Sequence, residues 1–286
     1  MDKVAIVTDS TADIPDDLQS KYDISIVPLY MHFQGKEYKD RANITNKQIY
    51  DLLDKNVEVK TSAPSPKDFL SLYSDLISNK GANIIYSIHI SSKLSNTVDS
   101  ALMASKKFPE TRIEIFDSKS VTMGLGLPVL TAARMASAGK DAETIKDTIN
   151  YLIDKSIFLS TVENFEYLLR GGRVSGLKRL LNMALKVRPV LVMDQGKVKV
   201  SKISRTRKSS ILQIAEDFKS IYGNKGAIIL SIIYGADLDA AHNLNQLIKK
   251  EKSLNIKETI FTEITPVIGT HSGPSIVGLA AIPAIE

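Results

Sequence analysis

Cysteine is absent from this chain of 286 residues. That excludes disulfides, thiolate catalysis and Cys-ligated metal, and it fits a reducing cytosol. Histidine occurs only at His32, His89, His242 and His271. None of these pairs at metal-ligand spacing, so no metal site is expected. No apolar run approaches the ~20 residues that a membrane-spanning helix needs. There is no Gly-Lys-Ser/Thr phosphate cradle, and Gly124-Leu125-Gly126 lacks the third glycine of a dinucleotide loop. Carboxylates are not paired in the way hydrolysis or metal chemistry requires, and no Gly-x-Ser-x-Gly elbow occurs. Repeats, low-complexity stretches and a Pro/Ser-rich linker are also lacking. Residues 1–9 read as a strand and not as a signal peptide, so a cytoplasmic location is expected.

What remains is the composition of an ordinary globular protein, 43% hydrophobic and 24% charged, with a net charge of +5. The surplus allows a transient contact with an anionic membrane surface. Strand-like runs alternate with helix-like periods through the first half, ending in a long helical region with Gly124, Gly126 and Pro128 and then a helix capped by Asp141. The expected strands are residues 4–7, 24–33, 83–90 and 112–116. Helices are expected near Pro15, after Thr45, after Ser65-Pro66 with Phe69, Leu70, Tyr73 and Ile77 on one face, and up to about residue 107. From residue 157 the texture changes: a hairpin around Asp194-Gln195-Gly196 precedes helix, strand, helix and strands. The spacing predicts an α/β protein with two domains. Residues 1–157 form a mostly parallel α/β unit, and residues 158–286 an α+β unit with a mixed or antiparallel sheet.

Three hydroxyl-rich segments are read as strand-to-helix loops: Thr8-Asp9-Ser10-Thr11, Thr61-Ser62-Ala63-Pro64-Ser65-Pro66, and Ser91-Ser92-Lys93-Leu94-Ser95-Asn96-Thr97. Such loops offer hydroxyls and unpaired backbone N–H groups to an anion. At the carboxyl edge of an open sheet they lie where α/β proteins bind ligands. A fourth segment, Gly269-Thr270-His271-Ser272-Gly273-Pro274, is expected to end a strand and hold His271 in a glycine-flanked loop, able to donate to an anion or exchange a proton. Asp9 and Asp117 suit Asx-turns or caps. Arg170-Gly171-Gly172-Arg173 and Arg205-Thr206-Arg207-Lys208 are solvated surface or grips for phosphate or carboxylate. No aromatic residues interleave with them, so no nucleic-acid partner is expected.

Taken in order, these segments resemble the DegV family of bacterial fatty-acid-binding proteins across almost the whole chain. Two departures stand out: Ser95-Asn96-Thr97-Val98 replaces the usual Ser-Gly-Thr-Tyr, and Ser275 replaces a common glycine. The resemblance implies a long-chain fatty acid as ligand, no cofactor and no catalysis by this chain. It points to Thr61, Ser62, Ser92, Ser95, Asn96, His271 and Ser272 around the carboxylate, with the tail in an apolar tunnel of the first domain. It also implies a fatty-acid kinase partner that phosphorylates the bound carboxylate for phospholipid synthesis, contacted through Arg170, Arg173, Arg205 and Arg207. At ~0.8 kcal/mol per buried CH₂, roughly fifteen methylenes contribute ~12 kcal/mol gross. The competing expectation is an acyl hydrolase using a serine of residues 91–95 with His271 as base.

Overall fold

The computed structural model describes residues 3–175 and 187–285; the expected outer domain limits at residues 1 and 286 lie outside them. Strand β1 (Val4–Asp9) passes through a 3-10 turn (Ser10–Ala12) into helix α1 (Asp16–Lys21). The single strand expected over residues 24–33 is two, β2 (Ser25–Val27) and β3 (Tyr30–Phe33). Pro28 between them has no N–H for a ladder. The chain changes sheet there, and the Leu29 N–H donates to Ser10 Oγ at 3.0 Å. Strand β2 lies parallel to β1, whereas β3 pairs antiparallel with β4 (Lys36–Lys39) and β5 (Lys60–Ser62). Gln34 and Gly35, with φ of 50° and 71°, make the turn between β3 and β4, as their sequence suggests.

Helices α2 (Asn46–Asp54) and α3 (Pro66–Ser78) both open on capping boxes, at Thr45 and Ser65. Then come β6 (Ile84–His89), α4 (Thr97–Ser105) and β7 (Arg112–Asp117). The first sheet is parallel throughout, with order β2-β1-β6-β7. Its order reverses between β1 and β6, so the carboxyl ends of these two strands flank a ligand crevice.

Helices α5 (Met123–Ser137) and α6 (Ala142–Lys155) lead to β8 (Ile157–Thr161), α7 (Glu166–Gly171) and β9 (Val174–Ser175). Beyond them lie β10 (Arg188–Asp194), β11 (Lys197–Ser204), α8 (Arg207–Tyr222), β12 (Ala227–Tyr234) and α9 (Leu238–Lys249). The described chain closes with β13 (Asn255–Glu263), α10 (Pro266–Ser272) and β14 (Val277–Pro283). These strands form a seven-stranded mixed sheet, β13-β12-β14-β8-β10-β11-β9. The protein is therefore α/β, with a parallel sheet in its first half and a mixed sheet in its second.

Helix α5 joins the halves. Met123 to Ala133 are all buried, as expected of a helix packed on every side. One apolar cluster runs from Ile6 and Tyr86 through Leu125 and Leu130 to Phe158, Leu191 and Ala280. Pro128 cannot give a helical hydrogen bond to the Gly124 carbonyl; the Ser156 hydroxyl donates to it instead at 2.8 Å. Arg134 at the far end of α5 makes a two-pronged ion pair with Glu258 of β13, at 2.6 and 2.7 Å. Gly126 serves close packing: a Cβ there would collide with the Ala12 carbonyl and the Met123 sulfur.

Because the Ala12 carbonyl is backbone, moving the Met123 side chain alone cannot relieve Gly126→Ala. It is expected to cost about 1–3 kcal/mol, read as a lower urea midpoint with an unchanged slope. An unchanged midpoint would contradict the packing described.

Candidate functional site

Asp9, at the end of β1, accepts from the Thr11 backbone N–H at 3.1 Å and from the Thr11 hydroxyl. Its second oxygen accepts from the Ile90 N–H at 2.9 Å and lies 3.1 Å from His89 Nδ1. His89 Nε2 is 2.7 Å from Ser87 Oγ, which in turn accepts from the Tyr73 hydroxyl at 2.8 Å. All of these polar side chains are buried. Asp9 is thus a cap, as expected, and also a pin that fixes the ends of β1 and β6 together. Thr11 and Ile90, which it positions, line a cavity of about 460 Å³.

The wall of that cavity comes from both halves of the chain. Leu29, Ile90 and Val121 face Leu168, Val174, Leu191, Val198, Val267 and Ile276, and Thr61, Ser62, Ser92, Ser95, Asn96, His271 and Ser272 complete it. An apolar tunnel within the first half alone is not what forms: more than half of the apolar lining residues belong to the second. Periodicity marks these residues as buried without saying what they face.

Thr61 and His271 meet. Thr61 Oγ1 and His271 Nε2 are 2.7 Å apart, although 210 residues separate them. Thr61 lies in β5, paired with Met31 of β3 in the small antiparallel sheet, so this segment does not end a strand of the parallel sheet. His271 is not in a loop after a strand: residues 266–272 are helix α10. Pro266 at its first turn is a start signal. Gly273, with φ of 74°, follows as its C-cap. The Thr270 and Ser272 hydroxyls donate back to the carbonyls of Pro266 and Ile268, at 2.9 and 3.0 Å.

The serine loop is likewise engaged. Ser91 Oγ donates across the halves to the Gly196 carbonyl at 2.7 Å, Ser92 Oγ to Asp117 Oδ2 at 2.6 Å, and Ser95 Oγ lies 2.8 Å from Thr97 Oγ1. Asn96 adopts φ of −81°, so glycine is not needed at this position. Ser62 Oγ lies 2.8 Å from His32 Nε2. Ser275 Oγ accepts from the Glu163 N–H at 3.0 Å. Among the described residues no serine of this loop hydrogen-bonds His271, and His271 Nδ1 has no partner. A serine–histidine–acid arrangement at this histidine is therefore not formed.

On the other side of the Thr61–His271 contact lies a second cavity of about 660 Å³. It is lined by Glu58, Lys60, Tyr167, Arg170 and Arg173, and it shares Thr61, Gly171, Arg173 and His271 with the first. Burial first, and the positive charge of Arg173 second, push the His271 imidazole down to about 4. The contact thus belongs to the walls of both an apolar chamber and a cationic basin, and it offers them two uncharged polar groups beside Arg173.

The four arginines separate into two kinds. Arg170, Arg173 and Arg205 are exposed. Arg170 reaches Asn56 at 3.4 Å and Glu166 at 3.9 Å, and Arg173 donates to the Gly171 carbonyl at 2.7 Å. Arg207 is partly buried, 3.2 Å from Asp237 and 3.9 Å from Glu163. Among the described residues no group of His, Asp or Glu is placed to hold a metal, and no helix is long and apolar enough to cross a membrane.

Fold and site together describe an α/β small-molecule-binding protein whose apolar chamber opens on an uncharged hydrogen-bonding pair. The sequence match identifies the group more closely. Residues 3–284 match the family described as "Uncharacterised protein, DegV family", and the chain belongs to that family. A DegV domain-containing protein of Caldanaerobacter subterraneus subsp. tengcongensis is 33% identical, with 98% of each chain aligned. Among solved structures, "Fatty Acid Binding of a DegV family Protein from Thermus thermophilus" has a TM-score of 0.93 at 31% identity, covering 99% of this chain and 100% of that one. "DegV, a fatty acid binding protein from Bacillus subtilis" has a TM-score of 0.86 at 26% identity, with the same coverage.

The depressed imidazole gives a pH prediction. An unfolded histidine takes up a proton near 6.5, whereas folded His271 does so near 4. Its contribution to stability is therefore full above about 6.5 and is lost as pH falls toward 4. In heteronuclear NMR the His271 ring resonances are expected to stay in the neutral position from pH 8 to pH 5. A titration midpoint near 6.5 would contradict the site described.

Proposed function

We propose that this protein binds a long-chain fatty acid and presents its carboxylate to a fatty-acid kinase, which forms an acyl phosphate used in phospholipid synthesis. The observation that carries this reading is the Thr61–His271 contact at the border between an apolar chamber and a cationic basin. The described fatty-acid binding by the Thermus and Bacillus relatives supports the ligand class.

In this reading the tail lies between the halves, against Leu29, Ile90, Leu191 and Val267, and supplies most of the affinity. Ordering the chain and stripping water from the head subtract from that gain. Neutral His271 donates a hydrogen bond from its Nε2–H to the Thr61 hydroxyl, and the Thr61 O–H donates a hydrogen bond to the carboxylate, with no proton transferred. Ser92 is the second donor once a carboxylate draws its hydroxyl from Asp117, with Ser95 and Asn96 at the mouth. Arg173, which lines both cavities, donates to the Gly171 carbonyl; in this reading it does not clamp the head, whose oxygens remain nucleophilic toward a phosphoryl donor arriving through the basin. The chain itself is then a carrier of cytoplasmic fatty acid without a cofactor, residues 1–157 and 158–286 acting as its two working units. Arg170, Arg173 and Arg205 face the kinase; Arg207, held by Asp237 and Glu163, is the weakest candidate of the four.

The reading is tested by extracting the protein purified from bacterial cells with organic solvent and analysing the extract by mass spectrometry. One free fatty acid per chain is the expected result; steady hydrolysis of acyl esters by the pure protein with no bound acid would overturn it. With kinase and ATP, Thr61→Val is expected to lower acyl-phosphate formation about tenfold or more. That corresponds to one hydrogen bond to a charged group, about 1.5–3 kcal/mol. Unchanged formation would remove Thr61 from the site.

A further inference from the structure

Two glycines in a row close α7, and only the second is required by the backbone. Gly172, the C-cap, lies in the left-handed region with φ of 67°, and a Cβ there would meet nothing within 4 Å. Gly171 is the last residue of the helix, is buried, and does not take a positive φ. Alanine is ordinarily the better helix former at such a position. We propose that Gly171 is the positioning residue of the site: the space left by its missing side chain is the seat of the His271 ring and holds the imidazole against Thr61.

The distances leave no room for a side chain. A Cβ on Gly171 would lie 2.7 Å from His271 Nδ1 and 3.3 Å from both Cβ and Cγ of that residue. The ring thus rests on the bare backbone of α7, and Nδ1 is sealed there without a partner. Across the ring, Nε2 is 2.7 Å from Thr61 Oγ1. Imidazole is rigid, so a methyl that displaces Nδ1 also draws Nε2 off Thr61. Helix α10 is confined as well. A Cβ on Gly269 would lie 3.0 Å from the Tyr50 ring of α2, and one on Gly273 2.3 Å from the Tyr167 ring of α7.

The Gly171 carbonyl has a second use. It accepts from Arg173 Nη1 at 2.7 Å, which satisfies a last-turn carbonyl that has no helical donor. The guanidinium is thereby folded back on α7 while the imidazole faces Thr61. Of the four residues that line both cavities, Thr61, Arg173 and His271 act through side chains; Gly171 acts through the lack of one.

In Gly171→Ala the ring loses its seat and Nδ1 opens to water. The charges on that side, Arg173 with Glu58, Lys60 and Arg170 of the basin wall, are unaltered, so the quantity that changes is burial. The His271 titration read by heteronuclear NMR is expected to move from near 4 toward 6.5, by about one pH unit or more. Gly172→Asn, which suits a left-handed backbone, is expected to leave it in place. An unmoved midpoint in Gly171→Ala, or an equal move in Gly172→Asn, would overturn the proposal. Should Gly171→Ala fail to fold, it is repeated on His271→Ala. With the ring gone, the added methyl is expected to leave the urea midpoint of that protein unchanged; failure to fold there too would count equally against the seat.

None of these measurements uses a ligand, so they stand apart from the fatty-acid reading. Resting on that reading, Gly171→Ala should lower acyl-phosphate formation about tenfold or more, as Thr61→Val does, with the bound fatty acid retained. A shifted titration with unimpaired formation would keep the seat and remove His271 from the fixing of the head group.

Discussion

A hydrogen bond between Thr61 of β5 and His271 of α10 is the constraint on which the site depends. It fastens the small antiparallel sheet of the first half to a short helix of the second. It also stands where the apolar chamber gives way to the basin of Arg170 and Arg173. Neither partner carries a charge at neutral pH. A fixed positive charge here would bind an acid group more tightly and shield it, whereas two uncharged groups can orient it and leave it open to reaction.

The apolar interior explains why such a contact can form between distant segments. Helix α5 is buried along most of its length and lies in one continuous core with strands of both sheets. The halves therefore do not meet as two closed surfaces. They share side chains, and the chamber is a gap left in that shared packing, between Ile90 and Leu29 on one side and Leu191 and Val267 on the other. The buried link from Asp9 through His89 and Ser87 to Tyr73 holds the ends of β1 and β6 in register beside it. Stability of the core and shape of the chamber are the same physical fact seen from two sides.

Much of this was legible locally. Thr45, Ser65, Asp141 and Thr206 begin helices because their side chains bond the first-turn N–H groups. Gln34-Gly35 and Gln195-Gly196 turn hairpins because both residues of each pair take positive φ. Legibility failed where one residue outweighed a pattern. Pro28 divides an apolar run into strands of different sheets, and Thr265-Pro266 starts a helix in a stretch whose glycines suggest a loop. It failed again where the partner is remote. Nothing near Ser92 indicates that Asp117 takes its hydroxyl, and nothing near Asp13 or Asp40 indicates that each will meet a backbone N–H more than 200 residues away. The polar residues that line the chamber could be named from order and type, but the chamber, being made by both halves at once, could not be drawn from either.

A crystal structure of the protein with a long-chain saturated fatty acid tests the Thr61–His271 site most directly. The expected result is a carboxylate within hydrogen-bonding distance of Thr61 Oγ1, with the tail running between Ile90 and Leu191. A chamber that remains empty while the acid binds elsewhere, or a head group lying away from Thr61 and His271, would contradict it.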